Sequence, residues 1–172
     1  MDQDAVQLEC DRLARAIVES ALRQHVKVST AESCTAGLVA SSIADVPGAS
    51  GVLLGGAVTY RDEVKRGVLG VPAATLELHT AVSGQTACAM AVGSRRLFGS
   101  DIAVSITGYA GPDGGTPDDP VGTVYIGIDR AGGTTARRFA FEGDRRSVRM
   151  QAVLNALDLV LAALGEHGVL GE

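Results

Sequence analysis

The sequence predicts an α/β fold built on a mixed sheet. Segments with apolar residues at helical spacing alternate along the 172-residue chain with short β-branched or apolar runs typical of strands. Two successive strands near the end of the chain are joined by a short glycine turn, which makes part of the sheet antiparallel. The length is usual for one domain, and a composition that is 46% hydrophobic and 20% charged supplies one core.

The first half of the chain alternates helix and strand. Apolar residues at helical spacing over residues 6–23 predict an amphipathic helix, and the β-branched run over residues 26–30 predicts a strand. A short segment of small residues leads from this strand into a predicted helix over residues 38–44. After a break at residues 47–48, residues 52–60 form the second predicted strand.

The second half continues the alternation and ends in a hairpin and a helix. The predicted helical elements cover residues 62–69, a short element from residue 72, residues 83–97 and residues 147–164. The predicted strands cover residues 102–107, 121–129 and 134–142. The sequence contains no internal repeat, linker or low-complexity tract, so we expect a single domain.

The composition excludes several classes of function. A net charge of −5 and an aromatic content of 3% argue against a nucleic-acid-binding surface. Three cysteines are an odd number, which argues against a disulfide framework. The acidic first residues lack the pattern of a signal peptide, and no uninterrupted apolar run approaches the roughly 20 residues of a membrane span. We therefore expect a cytoplasmic protein with no nucleic-acid or membrane partner, and its apolar helices are compatible with a homo-oligomer.

Ser33 is the first candidate for chemistry. It lies where the first predicted strand turns into the second predicted helix, beside the amide groups of a helix start, and such amides stabilise a developing oxyanion. This position suits the nucleophile of an acyl transfer. Two alternatives stay open. In the first, Ser33 and Thr35 are simple helix caps and Glu32 is exposed. In the second, Cys34 is the nucleophile instead, although a thiol at such a position is usually part of the core.

A nucleophilic serine needs a base, and the three histidines are poor candidates. His25 and His79 lie at predicted element ends, and His167 lies near the end of the chain. Lysine also serves as a base when burial lowers its pKa, and Lys65 follows Tyr60 by five residues. A solvated surface position for Lys65 and a packing role for Tyr60 remain the alternatives.

Two further features are typical of anion-binding sites. The first is the glycine-rich segment 108–115, whose backbone amides could bind a phosphate or carboxylate. The alternative is that this segment is an irregular connection without a ligand. Arg145 or Arg146 clamps an anion at the start of the last helix, or Asp144 simply caps that helix. No group of cysteines, histidines or carboxylates has metal-ligand spacing, so we expect no metal site and no cofactor.

Several motifs in a fixed order resemble those of the CinA C-terminal domain family. They are AESCTAG (31–37), TYRDEVK (59–65), LGV (69–71), AVS (81–83), SITGYAGPDGG (105–115), PVG (120–122) and GDR (143–145). The set is specific in this order and covers nearly the whole chain. The resemblance implies a three-layer α/β/α sandwich and one amidohydrolase domain over residues 1–172, with a core from about residue 5 to residue 164.

The resemblance also implies an activity. Enzymes of this family are nicotinamide-nucleotide amidohydrolases, which convert nicotinamide mononucleotide to nicotinate mononucleotide and ammonia in pyridine-nucleotide recycling. By position, Ser33 would be the nucleophile, Lys65 the general base and Tyr60 a supporting hydrogen-bonding residue. The substrate, a small nucleotide, would be bound by Thr35, Thr107, Gly108, Gly111, Gly114, Gly115 and Arg145. Hydrolysis of another small amide, or a non-catalytic nucleotide-binding or interaction module of the same fold, are the other hypotheses.

The chain differs from the usual family pattern at a few positions. These are Ala36 where glycine is common, Arg61–Asp62 where Ser-Asn normally follows the tyrosine, Tyr109 in place of a small aliphatic residue, and Asp119 where lysine is usual. The carboxylate of Asp62 is expected to raise the pKa of Lys65. The chain also lacks the larger N-terminal domain of full-length members and so resembles the standalone form.

Overall fold

A five-stranded mixed sheet lies at the centre of the computed structural model, which describes residues 3–169 and the side chains of residues 3–165. The strands are Val28–Glu32 (β1), Leu53–Val58 (β2), Ile102–Gly108 (β3), Thr123–Arg130 (β4) and Gly133–Ala140 (β5). Their order in the sheet is β2-β1-β3-β4-β5. β1 pairs in parallel with β2 and β3, whereas β4 pairs antiparallel with β3 and β5.

Helices cover both faces of this sheet. They are Gln3–Gln24 (α1), Leu38–Ala44 (α2), Asp62–Leu69 (α3), Ala73–His79 (α4), Gly84–Phe98 (α5) and Arg145–Val169 (α6), with a 3₁₀ turn at Ala49–Gly51. α1, α2 and α6 pack together on one face, while α3 and α4 pack against α5 on the other. The predicted α/β fold with a mixed sheet and three layers is therefore confirmed.

Most element bounds differ from the prediction by a few residues, and two of these differences lie next to Ser33 and Arg145. β1 runs to Glu32 because its ladder continues there: the amide of Thr59 donates to the carbonyl of Glu32 at 2.8 Å. α6 begins at Arg145 because the carboxylate of Asp144 accepts from the amide of Ser147 at 2.8 Å and so caps the helix. Capping by Asp144 is thus confirmed.

The sheet topology collects several chain segments at one edge. The carboxyl ends of the parallel strands β1, β2 and β3 meet there, because Glu32 lies opposite both Val58 and Ile106. β5 ends at the same edge, with Ala140 opposite Thr123 at the start of β4. The segments that follow β1, β2, β3 and β5 therefore converge, as they do at the ligand sites of open α/β sheets.

Helix α6 is long and apolar. Over Arg145–Gly165 its mean hydropathy is 1.4, and by length and composition this stretch, alone among the described helices, would cross a membrane. It packs against α1 and against strands β3 and β4. Its buried residues are Val148, Ala152, Val153, Ala156, Leu157, Leu159, Val160, Ala163 and Leu164. Packing as a core helix accounts for the apolar composition.

A glycine allows α3 to lie close to α5. A Cβ atom at Gly93 in α5 would overlap the backbone carbonyl of Leu69 at the end of α3. Leu69 is itself buried in a small cluster with Val71 and Met90. The absence of a side chain at Gly93 therefore sets the distance between the two helices.

Replacing Gly93 by alanine is expected to destabilise the protein by about 1–3 kcal/mol, because the overlap is with backbone and the helices must move apart. Gly67 provides the matched control: it lies inside α3 and no atom lies within 4 Å of a Cβ placed there. Gly67→Ala should stabilise the protein by about 0.4–1 kcal/mol by restricting the unfolded chain. Urea unfolding of both variants tests this, and a neutral Gly93→Ala would contradict the close packing.

Candidate active site

A pocket of about 210 Å³ lies at the edge of the sheet where the strand ends meet. Of the residues predicted to form the site, seven line it: Ser33, Tyr60, Lys65, Thr107, Gly108, Gly111 and Arg145. The remaining lining residues are Cys34, Ala81, Val82, Tyr109, Ala110 and Asp113. Segments far apart in the sequence thus supply one concave site.

Three predicted substrate-binding residues do not line this pocket. Thr35 is fully buried in the turn after β1. A Cβ at Gly114 would contact the ring of Tyr109, and one at Gly115 would press on the backbone of Val121. Gly114 and Gly115, both with positive φ, therefore shape the loop that carries the lining residue Tyr109.

The histidines take no part in the pocket as far as their side chains are described. His79 ends α4, and His25 lies just beyond α1. Neither lines the pocket. The side chain of His167 lies outside the described residues. The structure therefore offers lysine rather than a described histidine as the basic group near Ser33.

Ser33 and Lys65 lie side by side. The Nζ atom of Lys65 is 3.5 Å from the Oγ atom of Ser33 and donates a hydrogen bond of 3.0 Å to the carbonyl of Thr59. The lysine is only 1% exposed although it sits on the short helix α3, so the solvated surface position is wrong. This is the spacing at which a base takes a proton from a nucleophile, slightly loosened as in enzymes without substrate.

Burial sets the protonation of Lys65. Removal of the amine from water lowers its pKa below the ordinary value, because desolvation penalises the charged form. Asp62 opposes this effect from 3.8 Å, and its carboxylate raises the pKa, as the sequence predicted. Asp62 is 55% exposed, so its charge is partly screened by water, and the net shift is downward.

The turn that carries Ser33 is held by a buried carboxylate. Glu32 is fully buried, and its side chain accepts hydrogen bonds from the amides of Gly37 (2.9 Å), Val39 (3.2 Å) and Ala40 (2.9 Å). The alternative in which Ser33 and Thr35 cap the helix and Glu32 is exposed is therefore wrong. A carboxylate at the very end of an apolar strand, just before a helix start, is the sequence signal for this role.

Among the described residues, two amides in the turn after β1 donate to no oxygen atom. The amides at the start of α2 are taken by Glu32 or by the turn itself, so they cannot bind an oxyanion as the sequence suggested. The amide of Ser33 donates to the carbonyl of Ile106 at 2.9 Å. Within the described part of the chain, the amide of Thr35 donates no hydrogen bond and the amide of Cys34 meets only its own thiol. They are the donors closest in sequence to Ser33.

Cys34 is part of the buried core. Its side chain is 5% exposed, and burial raises the pKa of its thiol to about 11. The thiol is therefore protonated at neutral pH, and a protonated thiol is a weak nucleophile. The structure favours Ser33 over Cys34 as the reacting group.

A guanidinium bridges the mouth of the pocket. Arg145, in the first turn of α6, donates to the carbonyl of Gly111 at 2.6 Å and to the hydroxyl of Tyr60 at 2.7 Å. Tyr60 is half exposed, and its hydroxyl contacts Arg145 rather than Ser33 or Lys65. An arginine has five N–H groups, so Arg145 keeps donors for a bound anion.

The acidic residue Asp119 faces away from the pocket. Its carboxylate accepts from the Nε atom of Arg138 at 2.8 Å and from the hydroxyl of Tyr125 at 3.1 Å. Both partners belong to the β4–β5 hairpin, and the amide of Asp119 is held by Thr116 in the loop. Asp119 therefore anchors the glycine-rich loop to the sheet, and Arg138 offsets its charge.

Arg149 supports the nucleophile turn from the other side. Its Nε atom donates to the carbonyl of Cys34 at 2.9 Å, and its Nη2 atom donates to the carbonyl of Thr35 at 3.0 Å. No motif marks this residue in the sequence. The signal is its spacing, since it follows Arg145 by four residues on a helix and so lies on the same face.

Thr107 lines the pocket, and its hydroxyl is bonded to the backbone. The hydroxyl of Thr107 donates to the carbonyl of Ala81 at 2.7 Å, which ties the end of β3 to the loop before α5. Among the residues whose side chains are described, no three histidines, cysteines or carboxylates come together as metal ligands.

Ala36 adopts a backbone conformation that favours glycine, with φ at +54°. Because the left-handed region costs other residues about 1–2 kcal/mol, Ala36→Gly should stabilise the protein by up to about 1 kcal/mol. The exposed Ala44, the last residue of α2, is the control, and Ala44→Gly should destabilise by up to about 1 kcal/mol. Denaturant midpoints of both variants test this, and a loss of stability in Ala36→Gly would contradict it.

Curated relatives share much of this sequence. CinA-like proteins of Citrifermentans bemidjiense and Myxococcus xanthus are 49% identical over 148 residues and 44% identical over 154 residues. These stretches cover 86% and 89% of this chain but only 35% and 37% of those proteins. The chain thus spans about a third of the length of the curated relatives it matches.

The fold is shared with a solved structure of similar length. The competence/damage inducible protein CihA from Agrobacterium tumefaciens superposes with a TM-score of 0.87 at 38% identity, over 91% of this chain and 96% of that one. Residues 10–164 match the family of the CinA C-terminal domain. The chain therefore belongs to the CinA C-terminal domain family.

Proposed function

We propose that this chain is a nicotinamide-nucleotide amidohydrolase that converts nicotinamide mononucleotide to nicotinate mononucleotide and ammonia. The observation that carries the proposal is the pair of Ser33 and Lys65, a hydroxyl and a buried amine 3.5 Å apart in one pocket. The lowered pKa of Lys65 increases the fraction of neutral amine that accepts a proton. Family membership supports the same chemistry by the resemblance of the motifs around both residues.

The reaction follows from these groups. Ser33 passes its proton to the neutral Lys65 as its oxygen attacks the carboxamide carbon, which gives a tetrahedral oxyanion. The C–N bond then breaks, and the ammonium of Lys65 returns the proton to the departing ammonia. In the second half, Lys65 takes a proton from water, the hydroxide attacks the ester carbon, and Ser33 leaves with that proton. The product is the carboxylic acid, which loses its remaining proton to solvent and is released as the carboxylate.

The rest of the substrate binds at the mouth of the pocket. Arg145 carries the cationic group there, and Gly108 and Gly111 line the same pocket. In our proposal they hold the ribose phosphate, so that the binding energy of a remote anion positions the amide over Ser33. Asp119 does not oppose this anion, because its carboxylate pairs with Arg138 on the hairpin.

The direct test is release of ammonia and nicotinate mononucleotide from nicotinamide mononucleotide. Ser33→Ala and Lys65→Met should each lower kcat by roughly 10³-fold or more, because each removes a group that acts in bond making. Lys27→Met is the matched control, since that amine bonds to the carbonyl of Gly51 and does not line the pocket. Lys27→Met should turn over near the wild-type rate.

Other outcomes would contradict the proposal in distinct ways. If wild type and Ser33→Ala are equally inactive and still bind the nucleotide, the chain is a non-catalytic binding module. If wild type hydrolyses other small amides but not this nucleotide, the serine and lysine chemistry holds and the substrate is wrong. Full activity in Lys65→Met would remove the assignment of the base.

The pH dependence of the reaction should report Lys65. Activity should rise with pH as the lysine loses its proton, and the midpoint should lie below the ordinary lysine pKa because burial lowers it. Asp62→Asn removes a carboxylate that favours the charged amine, so the acid limb of kcat/KM should move to lower pH.

Glu63→Gln is the control for this shift. Glu63 has the smallest effect among the groups that act on Lys65, and its carboxylate pairs with Arg61 at 3.2 Å. The acid limb of kcat/KM in Glu63→Gln should therefore move less than the acid limb in Asp62→Asn. A shift of the Asp62→Asn profile to higher pH would contradict the role of Lys65 as the neutral base.

A further inference from the structure

Arg149 fixes the backbone of the nucleophile turn by an unusual contact. One guanidinium donates to two successive carbonyls, those of Cys34 at 2.9 Å and Thr35 at 3.0 Å. The planar fork of arginine makes this double contact, whereas the ammonium of lysine offers a single point of donation. Arg149 does not line the pocket of Ser33, and it borders a separate cavity with Leu38 and Met150.

The carbonyl contacts determine where the amides point. In a trans peptide the C=O and N–H groups lie on opposite sides. Holding the carbonyl of Cys34 therefore holds the amide of Thr35 on the side away from Arg149. The carbonyl of Ser33 is held in the same way by the amide of Ala36 at 3.0 Å, which fixes the amide of Cys34.

The turn thus has fixed carbonyls and unused donors. Among the described residues the amide of Thr35 has no acceptor, and the amide of Cys34 has only its own thiol, a weak acceptor. Cys34 lines the pocket beside Ser33. Glu32 saturates the amides at the start of α2, so they do not compete for an anion formed at Ser33. Donors that are unpaired and held in place are what stabilises a transition-state oxyanion.

We propose that Arg149 is a positioning residue for the oxyanion site of Ser33. By holding the carbonyls of Cys34 and Thr35 it orients the amides of Thr35 and Ala36, and the Ala36 amide in turn holds the Ser33 carbonyl and so the amide of Cys34. This inference rests on the proposed function only through the nucleophile, and it holds for any acyl substrate. Arg149 touches neither substrate nor reacting atoms. Its loss should therefore act on the transition state, with kcat lowered and KM unchanged.

The closing experiment compares Arg149→Ala, Arg149→Lys and Arg12→Ala. Arg12 lies on the exposed face of α1 and pairs only with Glu9 among the described residues, so Arg12→Ala is the control for loss of a cation. Arg149→Ala should lower kcat for nicotinamide mononucleotide at least tenfold with KM within threefold, since loss of an oxyanion donor costs about 10²–10³-fold and misorientation costs less. The kcat of Arg149→Lys should lie between those of wild type and Arg149→Ala, because lysine keeps one of the two carbonyl contacts.

A second readout does not depend on the nucleotide. An alkyl fluorophosphonate labels a competent serine: the bond from Ser33 oxygen to phosphorus forms, fluoride leaves with the P–F electron pair, and the serine proton passes to Lys65. Arg149→Ala should be labelled at least tenfold more slowly than wild type, measured on folded protein by mass spectrometry. Loss of thermal stability with unchanged labelling and kcat would make Arg149 structural only and overturn the proposal.

The two readouts separate the possible failures. Labelling of Ser33 in wild type without turnover of the nucleotide would refute the substrate and leave the role of Arg149 standing if labelling still depends on it. Absence of labelling in folded wild type would remove Ser33 as nucleophile and the oxyanion site with it. A rise in KM with unchanged kcat in Arg149→Ala would assign Arg149 to substrate binding instead.

Discussion

The amine of Lys65 lies in the protein interior, where its near neighbours are the carbonyl of Thr59, the hydroxyl of Ser33 and the partly exposed carboxylate of Asp62. Burying an ammonium group is costly unless a counter-charge is buried with it, and here the nearest carboxylate is half in water. The pKa of the amine is therefore lowered from its ordinary value. This depends on helix packing, because α3 reaches its position only where Gly93 lets Leu69 approach α5. The glycine in α5 thus contributes to the burial of a lysine on the neighbouring helix α3.

The nucleophile is held by a complementary set of backbone contacts. Glu32 accepts from the amides that follow the turn, and Arg149 donates to the carbonyls within it. The buried carboxylate also neutralises the positive end of α2, so this helix contributes little attraction for an anionic substrate. That attraction has to come from the opposite wall, where Arg145 lies between Tyr60 and Gly111. In the proposed reaction, the two ends of the pocket would therefore have different tasks: one would bind the oxyanion that forms during the reaction, and the other the anion of the substrate.

The fold was predictable because periodicity and strand runs are local patterns. The family resemblance grouped Ser33, Tyr60, Lys65 and Thr107, and in the structure they lie where the carboxyl ends of the parallel strands meet. The exceptions depended on tertiary contacts. Whether a glutamate such as Glu32 is exposed or buried depends on amides that are brought to it only by the fold, and sequence patterns favour exposure of charge. The loop residues Tyr109 and Asp113 also line the pocket, and their positions depend on glycines with positive φ. A glycine in the sequence allows a positive φ but does not predict which way the loop turns.

The two added acids, Asp62 and Asp119, show how the same charge has different consequences in different surroundings. Asp119 is matched by Arg138 and hydrogen-bonded to Tyr125, so its charge is used inside the hairpin and does not reach the pocket. Asp62 has no arginine of its own among the described residues and acts on Lys65 across 3.8 Å. In the proposed reaction, anion binding and proton transfer would therefore depend on separate residues. A change at Asp119 should act on the shape of the loop, whereas a change at Asp62 acts on the charge of the base, because only Asp62 lies within direct electrostatic reach of the reacting pair.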